Sequence, residues 1–209
     1  MLHFDYYNLH FKLLCLKNTF REILEEKAVR VRDRLTKEIF MEHDIARLLN
    51  EQVNHELYSG YIYLAFSHFY SRMGLDGFEN WFFVQAKEEV DHATIFIKYL
   101  QDNGETVSFS AIPKCEIEPT ELTDPLHAAL KHEKYITGLI NNVYRAAEVA
   151  KDYRTREMLR GFILEQCEEE RAAAALLSKA TMIGTDSAGI YMLNSELKAR
   201  QHRQFELKM

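Results

Sequence analysis

With 209 residues, 26 basic and 32 acidic side chains and a formal net charge of −6, the chain can bury a sizeable core and is too acidic for nonspecific nucleic-acid binding. Its three cysteines, Cys15, Cys115 and Cys167, are far apart and form no CxxC, which excludes a disulfide framework and points to a reducing, cytoplasmic setting. No run of eighteen or more apolar residues exists, so no membrane span is expected, and Lys12 and Lys17 break up the one signal-like stretch, "FKLLCLK".

No alternating strand pattern of useful length occurs. All three prolines, Pro113, Pro119 and Pro125, share one short stretch, and the tracts on either side keep a period near 3.6. An all-α chain is expected. The first core helix is predicted from His43 to Met73, stopped by Gly74. The second follows Asp76 as N-cap and runs to about Asn103, where Gly104 ends it. Asp124-Pro125, a cap followed by proline at the first helical position, opens the third, which runs to about Ala150. Asp152 caps a fourth reaching Ile183, with Gly184 beyond it. A shorter fifth, Ser187 to Arg203, carries Ile190, Met192, Leu193 and Leu197 and needs an apolar partner.

Three of these connections are tight, and the one between the second and third helices is not. Residues 104 to 124 could span roughly 70 Å when extended. A helix of about 28 residues is only about 42 Å long. The linker can therefore travel the length of a bundle and make helices two and three parallel. This is a four-helix bundle with one long crossover.

The inward stripes carry the chemistry. Helix one presents Leu49, Gln52, Glu56 and Tyr63, skipping a turn at Gly60; helix two presents Phe82, Gln85, Glu89, His92, Phe96 and Tyr99. Helix three presents Leu126, Ala129, Glu133, Ile136, Ile140 and Val143, and helix four Leu159, Phe162, Gln166, Glu169, Ala173 and Leu176. Each stripe holds a glutamate near its middle. Four buried carboxylates without partners would cost several kcal/mol each or take up protons. Cations are the economical explanation, and Glu89-x-x-His92 among them strengthens it. Carboxylates with one imidazole and one amide, and no thiolate, disfavour structural zinc and suit iron or manganese. Two ferrous ions side by side can each give one electron to dioxygen, which is a physical reason to build a paired site.

Four segments, "NEQVNHELYSGYIYLAF" (50–66), "AKEEVDH" (86–92), "KHEKYI" (131–136) and "LEQCEEE" (164–170), resemble in order and spacing the metal-binding segments of bacterial non-haem ferritin. The similarity covers roughly residues 41 to 200. It implies a ferritin-like four-helix bundle at 41–184 and a short fifth helix with tail at 185–209. It also implies a di-iron centre in which Glu56, Glu89, His92 and Gln166 hold one iron. Glu89 bridges to a second iron held by Glu133 and Glu169. Glu88, Glu165 and Glu168 match a third, neighbouring iron position, which Glu169 can reach. Tyr63 matches a tyrosine that can supply an electron; as a plain core residue it would hydrogen-bond a carboxylate instead. Ferroxidase activity on ferrous iron with O2 or H2O2, and mineral storage in a homo-oligomeric shell of 24 subunits, are the implied function.

Bacterioferritins and rubrerythrins are similar too, but they carry a second Glu-x-x-His on helix four. Here those positions are Gln166 and Glu169, which favours ferritin. No methionine stands where bacterioferritin holds haem, so no haem is expected. A rubrerythrin-like soluble di-iron oxidase or peroxidase is the rival enzyme reading, weakened by the lack of rubredoxin-like cysteine pairs. His55, His68, His127 and His132 flank the stripes and are expected at the surface or an interface. Cys167 is expected as a buried small residue, and Glu170 as a solvated one.

Residues 1–40 match nothing in the family, whose members start near Met41. They hold eight basic and six acidic residues, which leaves 18 basic and 26 acidic, a net −8, for the remainder. A basic arm of this kind is the sole support for a DNA-associated protective shell like a mini-ferritin. Lys37-Glu38 can be encoded as AAGGAG, a ribosome-binding sequence ahead of Met41, so the extension reads as leader translated from a misplaced start. Intact-mass analysis decides between them. If native, "FREILEEKAVRVRDRL" can form a helix outside the bundle.

Overall fold

The computed structural model describes Lys27 and residues 41–205; the expectations for residues 1–40 lie outside that range. Among the described residues there are five α-helices and no strand: α1 His43–Arg72, α2 Asp76–Asp102, α3 Asp124–Ala150, α4 Tyr153–Ile183 and α5 Ser187–Leu197. None is long and apolar enough to cross a membrane.

The helix ends follow local chemistry, with three departures from expectation. Gly74, Gly104 and Gly184 all sit at positive φ just past α1, α2 and α4, where a Cβ would be strained. Asp152 caps α4, accepting from Thr155 N at 3.0 Å while the Thr155 hydroxyl donates back at 2.6 Å. Asp76 and Asp124, expected as N-caps, are instead the first helical residues of α2 and α3. Asp76 reaches out to α5, accepting from Asn194 Nδ2 at 2.9 Å and pairing with Lys198 at 2.7 Å. Asp124 turns back to the linker and accepts from the backbone N–H groups of Thr120 and Glu121, both at 2.9 Å. The fifth helix is shorter than expected, because its capping aspartate, Asp186, fixes the start and tertiary bonds pull the chain away after Leu197.

The helix directions can be read from the contacts. Ser59 and Tyr63 of α1 meet His132 and Glu133, while Tyr70 donates to the Leu122 carbonyl at 2.6 Å, so α3 runs antiparallel to α1. Since α2 folds back on α1 through a three-residue turn, α2 and α3 are parallel, as the long linker requires. At its start the linker is held by Asn50 and Asn54, whose side chains bond the backbone of Ser108 and Ser110 at 2.7–3.0 Å.

Aromatic layers set the depth of the core. Tyr70 stacks on Phe78 and Phe82, with ring centroids 5.0 and 5.6 Å apart, and Phe66 meets Phe82 edge-on at 5.3 Å. Farther along the bundle, Phe96 and Phe162 stack at 4.1 Å. Each such ring contributes roughly 1.5–3 kcal/mol by its burial. Between the layers lies a band of buried polar residues. At the end of the bundle, Gly77 is pressed against α5: an added Cβ would lie 1.7 Å from the Asn194 carbonyl oxygen. Asn194 in turn accepts from Gly77 N at 2.8 Å, which docks α5 on the start of α2. Leu193 and Leu197 supply its apolar anchor, leaving Met192 outside.

Candidate metal centre

All four stripe glutamates, with His92, Gln52, Gln85 and Gln166, are buried in this band. The first hairpin, α1–α2, brings Glu56, Glu89 and His92; the second, α3–α4, brings Glu133, Gln166 and Glu169. One potential ligand atom from each of Glu56, Glu89 and His92 lies within 4.8 Å of the others. Three amides and a phenol hold the rest in place. Gln52 Nε2 donates to Glu56 Oε1 at 2.8 Å, and Gln85 Nε2 to Glu169 Oε2 at 2.7 Å and Glu89 Oε1 at 3.4 Å. Gln166 Nε2 is 3.3 Å from Glu133 Oε2, and the Tyr63 hydroxyl donates to Glu133 Oε1.

The electrostatics of the band favour positive charge. Burial first, then Glu89, pushes the Glu56 carboxyl up from 4.5 to about 8. Burial, then Glu133, moves Glu169 up to about 7. Burial, with Glu133 and Glu169 next, lifts Glu89 well above the carboxylate range, and burial raises Glu133 too. Buried carboxyls that cannot all ionise are a place where positive charge is strongly favoured. Glu56 Oε2, Gln85 Oε1 and His92 Nε2 are buried with no hydrogen-bond partner. Orphaned buried polar atoms are rare and need a reason. Oxygen-rich donors with one imidazole fit iron or manganese.

Beside this band, Glu88, Glu165, Glu168 and Glu169 line an open groove of about 470 Å³ together with Arg200. Glu88 and Glu165 are partly buried, which raises both carboxyls, while Glu168 is exposed at the edge. Tyr63 is 1% exposed, and burial, followed by Glu133, raises its phenol far above the ordinary value, so it stays protonated and donates.

Two readings of neighbouring residues need correction, those of Cys167 and Glu170, while two flanking histidines gain partners. His132 is half-buried: its Nε2 lies 2.7 Å from Ser59 Oγ, its ring meets Tyr63 edge-on at 6.0 Å, and burial lowers it to about 4. His55 is half-buried, packs on Tyr135, and is lowered by burial. Cys167 is exposed, because it falls on the face of α4 opposite the stripe. Glu170 accepts from the Thr137 hydroxyl at 2.6 Å and so ties α4 to α3. Gln85 and Arg200 are the functional candidates that the stripes alone did not single out. Gln85 stood on the inward stripe, but its double donation depends on where α4 lies.

The sequence model of the ferritin-like domain family matches residues 46–183. The chain belongs to the ferritin family. The bacterial non-heme ferritin of Staphylococcus saprophyticus is 35% identical over 158 residues, covering 76% of this chain and 95% of that one. Its counterpart in Campylobacter jejuni is 32% identical, covering 74% of this chain and 93% of its own. Among solved structures, a closed form of Archaeoglobus fulgidus ferritin engineered by site-directed mutagenesis is 31% identical. It superposes with a TM-score of 0.76 over 78% of this chain and 99% of that one. The open-pore ferritin from the same archaeon gives 0.75 at 31% identity, over 77% and 98% of the two chains. The five-helix, ferritin-like architecture expected from the sequence is therefore the fold of this chain.

Proposed function

We propose that this chain is the subunit of an iron-storage ferritin, oxidising ferrous iron at a two-ion centre and depositing ferric mineral inside a homo-oligomeric shell. One observation carries the reading: Glu56, Glu89, His92, Glu133, Gln166 and Glu169 come from four helices into one buried band that leaves polar atoms unpartnered. Family membership and the names of the relatives support it.

Ferrous iron is the substrate. Two ions giving one electron each reduce dioxygen to hydrogen peroxide with uptake of two protons, or reduce hydrogen peroxide to water. Glu56, Glu89, His92 and Gln166 would hold one ion, Glu133 and Glu169 the other, with Glu89 reaching both. In the metal-free protein several of these carboxyls keep their protons, which leave as metal binds. Gln52 and Gln85 keep Glu56 and Glu169 aimed inward through their amide donors. Tyr63 orients Glu133 and stands close enough to supply an electron. Phe96 and Phe162 limit water on one side of the band. Glu88, Glu165 and Glu168 form the third position, toward the groove. Haem has no part in this reading.

Tyr61, Leu64, Phe83 and Val90 are between 44% and 48% exposed on the α1–α2 hairpin, an apolar surface that further copies would cover. A shell of 24 copies in the cytoplasm, drawing cations in by its acidic field, is the assembly proposed.

Aerobic addition of ferrous iron, followed by absorbance and electron microscopy, is the test. Rapid oxidation and electron-dense cores are expected, from a particle of several hundred kilodaltons by light scattering. Glu89→Ala should remove the fast phase. Unchanged initial rates in that variant, or a stable monomer, would overturn the proposal.

A further inference from the structure

Beyond Leu197 the chain turns back along α2 and is tied down at intervals. Asn80 Nδ2 donates to the carbonyls of Leu197 at 3.3 Å and Arg200 at 2.9 Å. His202 Nε2 lies 2.8 Å from Asp91 Oδ2. Phe205 packs on the imidazole of His92, centroids 5.1 Å apart, and on Phe162 at 5.3 Å. Residues 198–205 thus form a strap over α2 from Asn80 to His92.

Arg200 is the strap's central fastening. Its Nη1 donates to the Trp81 carbonyl at 3.2 Å, its guanidinium lies 4.5 Å over the indole, and its Nη2 donates to Glu88 Oε2. The Arg200 and Glu88 side chains are only 23% and 15% exposed. The groove that holds this pair is the one lined by Glu165, Glu168 and Glu169. A cation therefore already stands among the carboxylates of the third position, and the chain itself supplies it. Guanidinium suits the task, since it sheds water more readily than an ammonium and binds carboxylate and aromatic face together.

We propose that Arg200 is a built-in cation competing with metal for the third position beside the paired centre, and that an ion settles there only when the 198–205 strap lifts. This rests on the paired-centre reading above. While Arg200 holds Glu88, that carboxylate is not free for a metal. Metal in the third position must break the charge-assisted bond and the contact with Trp81. The same motion draws Phe205 from His92, so filling the third position opens the face of the paired centre.

The test uses the full chain, metal-free and assembled, titrated anaerobically with zinc(II), which has no redox chemistry. Calorimetry should give two tight ions per subunit and a weaker third. Arg200→Gln should tighten the third by about tenfold or more, the scale of one lost hydrogen bond to a charged group, while Arg200→Lys, which keeps the charge but loses the planar fork, falls between the parent and Arg200→Gln. Trp81 is the sole tryptophan, so its emission reports the strap directly in the unaltered protein. It should change at the third equivalent in the parent and be already shifted in Arg200→Gln. Two tight ions with a third unaffected by Arg200→Gln, or emission constant through three equivalents, would overturn the strap alone. Absence of the two tight ions from the parent would overturn both readings.

Discussion

Replacing Glu56 by glutamine should stabilise the metal-free protein while weakening its hold on metal, and pH sets the size of the gain. Glu56 is 1% exposed, and its carboxyl stands at about 8 in the folded chain against an ordinary 4.5. The unfolded chain ionises this carboxyl at its ordinary value, so between the two values the folded state binds the extra proton. Stability from this group is intact below 4.5, declines as pH rises, and levels off above about 8. At 1.36 kcal/mol per unit, the loss at pH 7 is about 3 kcal/mol. The glutamine keeps the bond from Gln52, because its amide oxygen still accepts, and it removes the titration. Equilibrium urea unfolding of chelator-treated protein, followed by circular dichroism at pH 5 and pH 7, is the assay. The variant should gain under about 1 kcal/mol at pH 5 and about 3 kcal/mol at pH 7. Added metal should reverse the order, because only the parent can exchange this proton for an ion. A gap that ignores pH, or a variant less stable at both values, would refute the reasoning.

Two other substitutions probe the positioning of the site and of α5. Tyr63→Phe leaves Glu133 Oε1 without its phenol donor and should lower stability by about 1–3 kcal/mol, measured by the same unfolding assay. If Tyr63 also supplies an electron, freeze-quenched parent protein shows a phenoxyl radical by electron paramagnetic resonance during iron oxidation, and the variant shows none. Gly77→Ala drives a methyl into the Asn194 backbone, so α5 should detach from α2; hydrogen exchange should show lost protection confined to residues 187–197 and the first turn of α2.

The inward faces were legible because each depends on one helix alone. A glutamate that recurs in step with Leu49, Phe82, Ile136 or Phe162 must turn the same way, and all four stripe glutamates are buried. The parallel pairing of α2 and α3 was legible from linker length. Less legible was whatever depends on a second element. Asp76 and Asp124 read as caps because their immediate neighbours suit capping, but α5 and the linker offered them better partners. The partner of His132 could not be foreseen, because Ser59 lies 73 positions away. Arg200 fell inside the expected fifth helix and drew no reading of its own, because Trp81 and Glu88 meet it across more than a hundred positions. Periodicity gives direction, and only packing gives the partner.

The division of the six converging side chains, three to each hairpin, has a consequence for how the chain comes together. Either hairpin alone owns half a nest, too open to strip water from a dication. Only their union across the crossover closes the socket, so an ion captured there would add its hold to the hydrogen bonds and stacked rings, such as Gln85 on Glu169 and Phe96 on Phe162, that already join the halves. Nicking the crossover should leave two fragments that reunite through their shared core and hold together more tightly when metal is added.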